Sequence, residues 1–246
     1  MNYRAAVLCL LMTTTMSAAA LAKDSRAYTD KFGIESCTFK STGRNPHFIL
    51  QPGRQLNFSN ANCVARGKCK ELETLVITTL FEERDITFTT ANGTAMTVRA
   101  RVVEEREMAN GSLKEISRNY FAECDGTRDV FYFGEDVDIY ENGVIANHDG
   151  AWLAGVNGAQ PGIIMPGGAF LLGARYFQEI APTVAMDRAE HMAMGLNITV
   201  PAGAYQGCVR IHESSPLDRK IISKKAYCPG TGLVIDGDSE LLFVVE

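Results

Sequence analysis

The chain lacks most of the signatures by which a sequence announces its chemistry. No G-x-S-x-G elbow, H-E-x-x-H pair, P-loop or G-x-G-x-x-G fingerprint occurs. His212-Glu213-Ser214-Ser215-Pro216 fails the zincin spacing, and Gly155, Gly158 and Gly162 follow no strand-to-helix pattern. There is no C-x-x-C, so close zinc-ligand pairs are missing. No Lys/Arg-rich run exists, which argues against nucleic acid and against attachment to anionic lipid. Beyond the first residues no apolar run is long enough to span a bilayer, so no transmembrane anchor is expected. Linkers, low-complexity tracts and repeats are absent, and one domain is expected over residues 46–246.

The first 22 residues read as a secretory signal: Arg4, an apolar run Ala5–Met12, and a small-residue site at Ala20-Leu21-Ala22. Cleavage there removes Arg4 alone among charged residues and leaves 23 basic against 29 acidic side chains, net −6. An exported protein, periplasmic or extracellular, follows as the expectation. Residues 23–45 are polar and without clean period, and are expected to form an irregular lead-in.

Six Cys remain after the signal, an even number that reads as disulfides in an exported chain. Cys63 and Cys69 flank a short basic loop. Cys208 and Cys228 sit on two strand-like runs that a hairpin would set opposite each other. Cys37 with Cys124 follows by elimination.

The rest of the pattern is β. Met96, Val98, Ala100 and Val102 alternate with Thr97, Arg99 and Arg101, the period of a half-buried strand. Seven Asn-Gly or Asp-Gly dipeptides, at 92, 110, 125, 142, 149, 157 and 236, punctuate the runs as hairpin turns do. Long consecutive hairpins predict an all-β domain: an antiparallel meander forming a curved sheet, half-barrel or barrel, with at most one short helix. Pro182–Gly195 is the segment open to a helix, with Gly195 as its C-terminal cap; as a strand it would alternate Glu190, Met192 and Met194 against Ala189, His191 and Ala193.

Candidate chemistry concentrates in Phe131–Pro166, which holds the only Trp. Glu135 and Asp136, with Asp138 nearby, offer carboxylates to a hard divalent cation, although a solvated strand face explains them as well. His148 beside Asp149, three residues before Trp152, could ligate a metal or act as a base in a hydrolase or isomerase; Asn147–Gly150 is also turn chemistry. Met186, His191, Met192 and Met194 form a thioether and imidazole set soft enough for copper, and equally a set of core fillers.

Asn45-Pro46-His47-Phe48-Ile49-Leu50-Gln51-Pro52-Gly53 resembles the N-P-Y-F-P-L-x-P-G opening of a group of uncharacterised exported bacterial β-proteins. YFGEDVDIYENG…GAWLAGVNGAQPGIIMP resembles that group's middle motif. The likeness runs from about Asn45 to Ile235. It implies an antiparallel β fold like the curved sheets of envelope lipid carriers, and favours strand for Ala189–Met194. It lends no catalytic residues. The chain departs from the group at His191-Met192-Ala193-Met194 and at Cys228. The resulting expectation is an exported, non-catalytic binding or structural protein, holding an apolar or small ligand on a curved sheet or meeting an envelope partner. An envelope metal-binding protein is the alternative.

Overall fold

A computed structural model describes residues 27–218, 220 and 222–246; the expected signal segment 1–22 lies outside them. The alternating runs form sixteen strands, β1 (Phe39–Lys40), β2 (Gln55–Ser59), β3 (Glu73–Thr89), β4 (Ala95–Ala109), β5 (Ser112–Cys124), β6 (Val130–Glu141), β7 (Val144–Asn147), β8 (Trp152–Leu153), β9 (Gln160–Met165), β10 (Arg175–Phe177), β11 (Glu179–Ile180), β12 (Arg188–Val200), β13 (Gly203–Ser214), β14 (Ile222–Cys228), β15 (Gly232–Asp236) and β16 (Ser239–Val245). One short helix, α1 (Ala61–Ala65), and a single 3-10 turn (Ile34–Ser36) complete the elements.

Two meanders make one sheet. β3 to β6 run as consecutive hairpins, β12 to β16 do the same, and β2 joins them by pairing β16 on one side and β3 on the other. The remaining gap is nearly closed by Arg175–Ile180. Its first half, β10, pairs β12; its second half, β11, pairs β9; and the Gln178 N–H between them donates to Asp187 O at 2.7 Å. The result is a nearly closed antiparallel barrel of 13 strands. Closure leaves few unpaired edges, which removes the aggregation hazard of so long a sheet.

The turn chemistry works as its residues require. Asn110-Gly111 and Asn142-Gly143 both hold positive φ at both positions and close the β4–β5 and β6–β7 hairpins, the type I′ geometry. Pro182–Gly195 does not form a helix: β12 begins at Arg188, and Gly195, at φ 68°, sits among register shifts of the β12–β13 pair. Its positive φ serves a bulge instead of a helix cap.

Cross-strand register fixes what faces inward. Ile77, Glu105, Ser117 and Val137 form one row across β3–β6; Thr79, Val103, Asn119 and Glu135 form the next. From the other meander, His191, Ile211, Lys225 and Asp236 make a facing row. Part of the opposite face of β3–β6 is also buried. Ile86, Val98, Ala100, Val102, Ala122, Phe131 and Phe133 form a second apolar layer. The lead-in covers it: Phe32 meets Phe131 edge-on, and Phe39 meets Phe131 and Phe133 at 5.5 and 5.2 Å. The Cys37–Cys124 disulfide and the β1–β5 pairing tie that cover down. The other two bridges join Cys63 to Cys69 and Cys208 to Cys228.

Candidate functional site

Asn45–Arg54 crosses one end of the barrel. The Asn45 side-chain amide donates to the carbonyls of Arg128, Pro166 and Met165 at 2.8, 3.1 and 3.3 Å, and its oxygen accepts the N–H groups of His47 and Phe48. Farther along, Pro46 O accepts the Gly230 N–H, Phe48 packs edge-on against Phe121, and Leu50 is fully buried. Above this plug the interior is not filled. A cavity of ≈ 80 Å³ is walled by Phe48, Leu56, Ile77, Val103, Phe121 and Leu233, with His47, Arg54, Glu105, Lys225, Tyr227 and Asp236 converging on it. A wider recess of ≈ 240 Å³ shares Asp236 and opens among Glu73, Glu107 and Lys114. Mostly apolar walls with a few convergent polar groups are the usual make-up of a small-molecule site.

The electrostatics of this interior are unusual for a small β domain. Burial lifts Glu105 to about 8, and nearby Asp236, Glu107 and Glu135 push the same way against the pull of Lys225. Burial and the Glu115 and Asp236 carboxyls lift Glu107 to about 6, and burial lifts Glu135 to about 7. Glu179, which accepts the Asp187 N–H, is held well above the carboxylate range by burial and by the Asp187 charge. Burial works against the Lys225 ammonium, but Asp236 and Glu213 outweigh it and hold it well above its ordinary value. The ammonium lies 3.1 Å from Glu213 and 3.7 Å from Asp236. Desolvation that keeps carboxyls protonated near neutrality is characteristic of functional interiors.

The candidates drawn from Phe131–Pro166 are divided by the sheet. Glu135 and Trp152 are cross-strand partners on the inner face, and the Trp152 ring lies edge-on to Tyr132 at 5.2 Å. Its indole N–H is buried and without a partner among the described residues. Asp136 faces outward, where the Tyr120 hydroxyl donates to it at 2.5 Å and Arg84 pairs with it at 2.9 Å. His148 is 65% exposed at a turn; its Nδ1 donates to Val137 O at 2.7 Å and lies 3.0 Å from Asp138. Asp149 is exposed beside it. Glu135 therefore lies across the sheet from His148 and Asp149; on the outer face the carboxylate beside His148 is Asp138, while Asp136 is engaged by Tyr120 and Arg84. The outward carboxylates already face guanidinium groups, Asp138 meeting Arg118 at 3.5 Å, which leaves little for a hard cation.

The copper set is divided by the same alternation. His191 is buried, stacked on Phe170 at 3.7 Å. Its Nδ1 donates to Leu171 O and its Nε2 accepts from the Tyr176 hydroxyl, both at 3.1 Å, so neither nitrogen is free for a metal. Burial pushes it down to about 4 and keeps it neutral. Met192 and Met194 are 42% and 53% exposed on the other side of β12, and Met186 lies before the strand begins. Among the described residues, Cys63, Cys69 and Asp238 come within 4.8 Å of one another, but the two sulfurs are joined as a disulfide.

Glu105, Lys225, Tyr227 and Asp236 were not legible as a site. The Met96–Val102 alternation holds for exposed Thr97 and Arg99, but carried on along β4 it would assign Val103 and Glu105 to solvent. The only hint is Val102-Val103, two consecutive buried apolar residues that a strand with one wet face would not hold.

No helix among the described residues is long and apolar enough to cross a membrane. Compared with known protein families, curated proteins and solved structures, the chain matches none.

Proposed function

We propose that the chain is an exported, non-catalytic binding protein that carries a small ligand inside its barrel. The cavity between the Asn45–Arg54 plug and the Lys225–Asp236 row carries this reading: it is apolar on most sides and holds several converging polar groups. Three disulfides suit an oxidising compartment, as export through the Met1–Ala22 segment requires. The resemblance to exported β-proteins with curved sheets fits the same picture. Native mass spectrometry of protein purified from its own host tests it. A bound small molecule is expected on the wild-type chain and not on Val103→Trp, whose indole fills the cavity. A chain that carries no added mass, and whose melting temperature Val103→Trp raises as simple filling of an empty void would, defeats the proposal.

A further inference from the structure

We propose, resting on that reading, that the ligand is a small organic cation, an amine on an apolar body, whose ammonium seats on the Glu105 carboxylate. Glu105 projects from the inner face of β4 between Ile77 and Ser117 and lines the cavity. Protein crowds around it, although its side chain keeps part of its surface in contact with solvent. No described residue gives it a hydrogen bond or an ion pair. A polar group in such a place is ordinarily satisfied, so an unpartnered carboxyl aimed into a cavity marks a missing ligand group.

The cations already present are engaged elsewhere. Lys225 faces two carboxylates, Glu213 and Asp236, so one ammonium stands against two acids before Glu105 is counted. The Arg54 Nε sits 3.2 Å from both Glu246 oxygens. An incoming carboxylate would meet this excess of acids; an incoming ammonium would relieve it. The neighbouring recess, which shares Asp236, has the same sign, since Glu73, Glu107 and Asp236 outnumber Lys114 there. Phe48 and Phe121 offer aromatic surface to the apolar body, and Tyr227 a face to the charge.

Seating an ammonium on the protonated carboxyl releases that proton to solvent: R–NH3⁺ and Glu105–COOH give the R–NH3⁺ carboxylate pair and H⁺. The groups facing Glu105 are Lys225 on β14, Asp236 on β15, Glu107 on β4 and Glu135 on β6. Of these, Glu107 and Glu135 add to the same direction, because both ionise as pH rises. Affinity for an amine therefore climbs roughly tenfold per pH unit from pH 6 and levels off near pH 8.

Calorimetric titration with hexylammonium, hexanoate and hexanol at pH 6, 7 and 8 tests this. Hexylammonium is expected to bind best, about tenfold tighter at pH 7 than at pH 6, with proton release measurable by buffer dependence. Glu105→Gln should lose at least tenfold of that affinity and most of its rise between pH 7 and 8, keeping only the smaller part due to Glu107 and Glu135; its thermal melt verifies folding, and the wild-type pH series needs no variant. Tighter binding of hexanoate or hexanol, or an ammonium affinity flat with pH, overturns the cation and leaves the cavity as a binding site. Failure of all three probes, with no host-derived mass on the wild-type chain, overturns the binding reading as well.

Discussion

Replacing Glu105 by Gln removes a group that the folded barrel holds at a thermodynamic disadvantage. Its ordinary value of 4.5 rises to about 8 on folding, chiefly through burial. Between those values the unfolded chain has released a proton that the folded chain still binds. Stability therefore falls as pH rises across that window, and below 4.5 the group contributes nothing. Each pH unit costs about 1.4 kcal/mol, giving about 3 kcal/mol at pH 7 as an upper value, because water in the cavity screens part of it. Glu105→Gln keeps the shape and the hydrogen-bonding capacity of the neutral acid. Urea unfolding at pH 5, 6 and 7 should show the variant more stable than wild type by a margin growing from under about 1 to about 2–3 kcal/mol. Glu107 and Glu135 remain in both proteins, so the difference isolates position 105. A margin independent of pH, or a wild-type chain more stable at pH 7, would refute the placement of this carboxyl.

Three further outcomes follow from the fold. Opening the bridges singly by Cys→Ala pairs should cost about 4–5 kcal/mol for Cys37–Cys124, about 3 for Cys208–Cys228 and about 2 for Cys63–Cys69, following loops of 87, 20 and 6 residues; denaturant midpoints that break this order refute the loop-closure account. Gly134→Ala should cost about 3 kcal/mol or more, because φ is 143° and the added Cβ would lie 2.6 Å from Trp152 O; an unchanged melt would show that β8 does not press on β6 there. Asn45→Ala should cost about 3 kcal/mol and speed amide exchange at His47 and Phe48, whose N–H groups the Asn45 oxygen holds; exchange unchanged at both would mean that the plug is fixed by packing alone.

What could be read from the sequence was whatever a residue dictates about its own neighbourhood. Asn110-Gly111 and Asn142-Gly143 demand positive φ and received it in hairpins. Alternation over Met96–Val102 named a strand and one buried face. The half-turned chain at Cys63–Cys69 is α1 with its following turn, a local detail that composition left as loop. Position across the sheet was not readable, because it depends on partners far away. Thr97 and Arg99 are exposed, as alternation has it, but from Arg101 the odd positions of β4 turn to the interior, where alternation alone would send them to water. The same rule of two divides Glu135 from Asp136, and His191 from Met192, although each pair is adjacent in sequence. Closure was equally hidden: Arg175–Phe177 and Glu179–Ile180 are too short to register as strands, yet together they join β12 to β9.

Burial of part of β3–β6 on both faces explains how a charged interior can persist. A barrel whose only core is its lumen must fill that lumen with apolar side chains, and a polar cavity would then weaken the whole sheet. Here Phe131 and Phe133 on the outer face pack against Phe32 and Phe39, and the Cys37–Cys124 bridge fixes that cover to β5. Register among β3, β4, β5 and β6 is thus held from outside, by residues that never touch the cavity. The inner rows are released from packing duty and can hold Glu105, Lys225 and Asp236 around open space. Loosening the outer cover should then disturb the cavity without altering any of its residues. Phe39→Ala removes the ring that meets both Phe131 and Phe133, so it should weaken ligand affinity while every cavity side chain stays in place. Binding that is unchanged in a Phe39→Ala chain with a lowered melting temperature would show that the lumen keeps its shape on its own.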